Sequence, residues 1–166
     1  MLINYLEMMA NAVICNGALL NFHSDGILSN IAKDMVAAST SPMASILLPG
    51  FIKLFTSIGR TNFTLLLASY SNYFEMLNTT CQNDQDIGAC LVGLESFAIL
   101  AQLPEAKKLF ACEKIPNFNA EQCLKQLKKI LFRGGSDDVH VQFKTHCQPP
   151  CINLFIFSVQ GNFDHS

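Results

Sequence analysis

The stretch TNFTLLLASYSNYFEML, residues 61–77, carries the clearest helical pattern in the chain. Phe63, Leu66, Leu67, Tyr70, Tyr73, Phe74 and Leu77 recur at the i, i+3, i+4, i+7 spacing that sets apolar side chains along one face of a helix. Leu65 and Ala68 widen the stripe, and Thr61 or Asn62 supplies an N-terminal cap. A helix apolar over most of its circumference has to be covered by neighbours, so the pattern predicts one continuous helix in the middle of an all-α bundle.

The segments on either side repeat this signal. Leu2, Leu6, Met9, Ala10, Val13 and Ile14 mark a first helix that stops near Asn16-Gly17. Ser24 or Asp25 caps a second, which carries Ile27, Leu28, Ile31, Met35 and Val36. Ser41 followed by Pro42 announces a third. Pro49-Gly50 interrupts that third segment, which predicts a kink or two short helices, because proline lacks the backbone donor and crowds the preceding turn. Downstream, Asp84 or Asp86 caps a helix through Ile87, Leu91, Leu94, Phe97 and Ala101, and Pro104 starts the next. Asn119 opens a basic amphipathic helix with Cys123, Leu124, Leu127, Ile130 and Leu131 on its apolar face, and Gly134-Gly135 ends it. The total is a multi-helix bundle of about six or seven helices, the last three antiparallel across short turns.

After residue 135 the period changes. Val139, Val141 and Phe143 alternate with polar residues, and residues 152–159 form a short run rich in Phe and Ile. Residues 1–135 are therefore expected to form the helical domain and 136–166 a short extended or β-hairpin-like tail packed on it.

Six of the seven cysteines, Cys81, Cys90, Cys112, Cys123, Cys147 and Cys151, fall in one half of the chain. An even, confined set suggests a disulfide framework, whose pairing sequence cannot choose. Counting along antiparallel helices brings the first four to one pole of a hairpin. Sequons at Asn62-Phe63-Thr64 and Asn78-Thr79-Thr80 fit the same exported setting, so Asn62 and Asn78 are glycosylation candidates and the protein is expected to be secreted or lumenal. Cys15 stands apart, as a buried apolar residue or as a bridge between copies in a homo-oligomer.

Charged residues are 14% of the 166, half the residues are hydrophobic and there are 13 Phe but no Trp. A chain this poor in charge has trouble covering its own surface. The surplus apolar surface points to a cavity, a partner interface or lipid. The seven basic residues between 107 and 133 have hardly an aromatic beside them, and the whole chain has a net charge of −2, which argues against nucleic acid. The apolar runs are too short or too often broken to span a membrane.

No motif carries catalytic chemistry: there is no glycine-rich phosphate loop, no nucleophile elbow and no His-Glu-x2-His run. His140, His146, Cys147, Cys151 and His165 have metal-ligand chemistry without zinc-knuckle spacing, and Asp84 to Gly88 lacks the ligands of a calcium loop, so neither metal nor cofactor is expected. What remains is a secreted, disulfide-stabilised helical binding protein. Its partner would be a hydrophobic small molecule, held among Phe51, Phe55, Tyr70, Tyr73, Phe74 and Phe97, or another protein. The alternative is a structural subunit of a larger extracellular assembly.

Overall fold

A computed structural model of the chain describes residues 2–15 and 26–132. These form α1 (Leu2–Cys15), α2 (Ile27–Ser39), α3 (Ala44–Thr61), α4 (Phe63–Ser69), α5 (Asn72–Cys81), α6 (Ile87–Ala101), α7 (Pro104–Ala111) and α8 (Ala120–Phe132), with no strand among the described residues. The all-α expectation holds there. The expected tail, with Val139, Val141, Phe143 and residues 152–159, lies outside the described residues, as does the boundary at 135.

The helices stack in two rows. One row runs α1, α3, α6; the other runs α2, α5, α8 behind it, and α4 and α7 are short connectors that pack on α3 and α6. Each row helix buries itself against its neighbours, as in stacked helical repeats. α3 is the hub, touching α1, α2, α4, α5 and α6. Its Phe51, Ile52, Leu54, Phe55 and Ile58 are all buried.

That central position decides the fate of Pro49. The chain does not split there into two helices: Pro49 lies inside a single helix, Ala44–Thr61. An interior proline costs about 3 kcal/mol, and packing on both sides of it offsets that cost. A Cβ on Gly50 would meet the Leu6 side chain at 3.2 Å, so α1 presses on the very turn that proline weakens.

The opposite correction applies to residues 61–77, which form two helices. Tyr70, at φ −130° and ψ 39°, closes α4, and the chain restarts through hydrogen bonds from Tyr73 N to Tyr70 O (3.0 Å) and from Phe74 N to Ser71 O (3.1 Å). The break turns the Tyr70 ring onto Phe55, at 5.4 Å between centroids, and lets both α4 and α5 pack on α3. Asn62 does cap α4, its Oδ1 accepting from Leu65 N at 3.0 Å.

The last three helices also depart from the expected antiparallel arrangement. α7 leaves α6 at 113°, and α8 packs against α5. Phe97, Phe110 and Phe118 fill the corner with ring centroids 4.9 to 5.2 Å apart, which gives the bend its apolar reason. Asp86 caps α6 through Ala89 N (3.0 Å), and Asn119 caps α8 through Gln122 N (3.0 Å). A second cap on α8 comes from Glu113, whose carboxylate accepts from Ala120 N (3.3 Å) and Glu121 N (3.0 Å).

Candidate interaction surface

The six aromatic residues proposed to hold a ligand are core residues. Phe51, Phe55, Tyr70, Tyr73, Phe74 and Phe97 are each 3% exposed or less, and they are covered by one another and by neighbouring helices. The two tyrosines carry polar groups, and both are engaged: the Tyr73 hydroxyl lies 2.8 Å from Thr56 Oγ1, and Tyr70 hydrogen-bonds Ser29. Among the described residues every buried side-chain nitrogen or oxygen has a hydrogen-bond partner. The interior therefore offers no orphaned polar group to receive a ligand.

Cys90 meets Cys81, as the helical counting expects, yet without bonding. Cys81, Cys90, Cys112 and Cys123 are free thiols. Cys90 Sγ donates to the Cys81 carbonyl at 3.0 Å, Cys123 Sγ lies 3.9 Å from Asn78 Oδ1, and Cys112 is exposed at the end of α7. The disulfide framework is thus corrected for these four: buried thiols here serve as small packing residues. Cys147 and Cys151 are outside the described residues, and so is the side chain of Cys15. No His, Cys, Asp and Glu side chains among the described residues are grouped to hold a metal. His140, His146 and His165 fall outside that set.

Two surfaces stand out. On the first three helices, Leu2, Ile3, Tyr5, Met8, Ile27 and Ile46 are all at least 40% exposed, Met8 reaching 60%. Four of them, Leu2, Ile3, Tyr5 and Met8, lie on α1, which has α3 as its main neighbour. The second surface is a cavity of about 550 Å³ between the start of α3, the end of α5 and the α5–α6 loop. Ser45, Asn78, Gln82, Asn83 and Gln85 line it, over an apolar patch from Leu48 and Pro49. A second hollow of about 240 Å³ reaches Gln122, Gln126 and Lys129 on α8. The two hollows have Gln82 and Asp84 in common.

The walls of these hollows are fixed locally. Asn83 Oδ1 accepts from Gln85 N (2.9 Å) and Asp86 N (3.1 Å), which folds the loop. Asn78 Oδ1 accepts from Asn119 N at 2.9 Å and ties α5 to the start of α8. Asp84 is held by Gln126 Nε2 (2.7 Å) and Lys129 Nζ (3.5 Å). Sequence singled out Asn78 as a sequon and Asp84 as a cap; neither signal reveals that they line one hollow.

Compared with protein-family models, residues 2–146 match the family described as Proteasome non-ATPase 26S subunit. The chain belongs to that family. No curated protein and no solved structure matches it. Membership corrects the compartment read from the cysteines and sequons: a proteasome subunit family points to a cytosolic or nuclear complex, not to a secreted or lumenal protein. The glycoprotein reading of Asn62 and Asn78 falls with it, since sequons are used in the secretory pathway. The extracellular setting of the proposed assembly falls too. What survives for this proteasome-subunit family member is protein contact inside a complex. Among its described residues no single helix is long and apolar enough to cross a membrane.

Proposed function

We propose that the chain is a non-catalytic helical subunit that works by protein contact within the 26S proteasome. The family match across residues 2–146 carries this reading. The two-row stack supports it, because stacked helices present long side surfaces and open ends suited to protein partners. The exposed apolar residues of α1 to α3 supply a contact surface of the kind that stable assemblies bury. The interior supports a binding role over catalysis, since its polar groups are few and already paired.

The test is sedimentation. A tagged full chain, expressed in cells, is expected to travel with proteasome-sized particles, and a Tyr5→Arg, Met8→Glu double variant that keeps its helical circular dichroism is expected to shift toward the top of the gradient. Wild-type chain that remains at its monomer position while proteasomes sediment intact would overturn the assignment.

A further inference from the structure

We infer that Ser41 is a phosphorylation site for a proline-directed serine/threonine kinase, and that a phosphate there weakens protein contact at the start of α3. The effect on contact rests on the proposed role of the exposed apolar residues of α1 to α3, whereas the acceptor site stands independently of it.

Three consecutive hydroxyl residues, Ser39, Thr40 and Ser41, stand at the end of α2 and in the turn that leads to α3. Ser39 Oγ donates to the Val36 carbonyl (2.6 Å) and Thr40 Oγ1 to the Ala37 carbonyl (3.0 Å), so both protons are spent on the end of α2. Ser41 differs from them. Its Oγ accepts from Met43 N at 3.0 Å, and its proton has no acceptor among the described residues. That proton can pass to the catalytic carboxylate of a kinase without loss of an internal hydrogen bond.

Pro42 indicates the class of kinase. Ser41-Pro42 is the one Ser-Pro or Thr-Pro pair in the 166 residues, and the nearest basic residues along the chain, Lys33 and Lys53, leave no cation beside Ser41 for a basophilic kinase to read. Proline offers no backbone N–H and biases the residue before it toward extended backbone, the form in which a kinase cleft takes its acceptor. Thr40 and Pro42 are exposed and Ser41 is half-buried. The turn is held by bonds from Ser41 N to Ala38 O and from Ala44 N to Ser41 O, both 3.1 Å and both at helix ends, where opening is cheap.

In the transfer, a bond forms between Ser41 Oγ and the γ-phosphorus of ATP as the bond to ADP breaks, and the serine proton goes to the kinase base. The product carries about −1.5 to −2 charge at neutral pH. Met43 and Ile46, which follow closely in the chain, are 49% and 53% exposed. A phosphate next to them keeps its hydration shell and opposes their burial against a partner, because a charge in an apolar interface loses water without gaining a counter-ion.

The experiment incubates the folded full chain with ATP and an activated mitogen-activated protein kinase, and locates phosphate by peptide mass spectrometry. A single phosphate on Ser41 is expected. Ser41→Ala and Pro42→Ala, each checked for an intact melting transition, are expected to lower incorporation at least about tenfold, the second while leaving the acceptor hydroxyl in place. Unmodified wild type, phosphate on Ser39 or Thr40 instead, incorporation only after unfolding in urea, or incorporation unchanged by Pro42→Ala would overturn the site. Phosphorylated and unmodified chains are then mixed with proteasomes and sedimented, and the phosphorylated chain is expected to shift toward the top of the gradient. Equal sedimentation of both with the particles would overturn the effect on contact and leave the site standing. Failure of both to sediment with the particles would overturn the proteasome assignment and the effect on contact together, and the Ser41 result would still stand.

Discussion

The Tyr73 hydroxyl and Thr56 Oγ1 lie 2.8 Å apart in a fully packed setting and join α5 to α3. Thr56 also donates toward the Ile52 carbonyl at 2.6 Å, so one of these two oxygens must be the donor in the pair and the other the acceptor. The consistent arrangement has Thr56 donating to Ile52 and Tyr73 donating to Thr56. Tyr73→Phe then removes a donor and leaves Thr56 with its helical bond, at a cost of about 1 kcal/mol. Thr56→Val strands the buried phenol and is expected to cost about 2 kcal/mol. Urea denaturation of the two variants checks the order.

The same phenol governs behaviour in alkali. Burial, offset only in part by the Thr56 hydrogen bond, pushes the Tyr73 phenol far above its ordinary range. The folded state therefore keeps a proton that the unfolded chain releases above pH of about 10, and stability is full below that pH and falls as pH rises beyond it. The expected slope is about 1.4 kcal/mol per pH unit from this group, and Tyr73→Phe removes that contribution. Unfolding free energies measured on both sides of the transition give the slope directly.

Glu113 performs two tasks at the α7–α8 junction. Its φ of 49° is left-handed, and bonds from Glu113 N to Phe110 O (3.2 Å) and Lys114 N to Leu109 O (3.0 Å) close α7 in a Schellman turn. Its carboxylate meanwhile caps α8. Glu113→Ala keeps the backbone strain and loses the cap, for an expected loss of about 1–2 kcal/mol. Glu113→Gly loses the cap but relieves the strain, so its thermal midpoint is expected to lie between those of wild type and Glu113→Ala.

Close approach of α5 to α6 depends on Gly93. A Cβ there would stand 2.9 Å from the Cys81 nitrogen and 3.1 Å from both Cys81 Sγ and the Thr80 carbonyl carbon. Two of those three atoms are backbone, which cannot step aside. Gly93→Ala is expected to cost about 1–3 kcal/mol. Gly59→Ala meets only Leu66 and Leu100 side-chain ends and is expected to cost less. A paired chemical-denaturation series tests the ranking.

Thiol reactivity follows burial. Iodoacetamide applied to the native protein, followed by peptide mapping, is expected to label Cys112 and to spare Cys81, Cys90 and Cys123 until the protein unfolds. Recovery of any of these four as a disulfide-linked peptide would contradict their free state.

The sequence by itself determined the helices and most of their ends. Apolar periodicity and short-range caps act within a turn or two of chain, so Asn62, Asp86, Pro104 and Asn119 were readable where they stand. Tertiary packing decided the rest. The same periodicity could not tell one helix over residues 61–77 from two, because the Tyr70 break is stabilised by Phe55, well upstream in the chain. Pro49 read as a kink or a break between two short helices and became an interior residue of one, because contacts with α1 and other helices on α3 outweigh a local penalty. Cysteine spacing suggested bridges, but pairing depends on where side chains point once α5, α6 and α8 have docked. The two hollows were invisible for the same reason: Ser45, Asn78, Gln82 and Gln126 are scattered through the chain, and the hollows they line form only when the two helical rows stack.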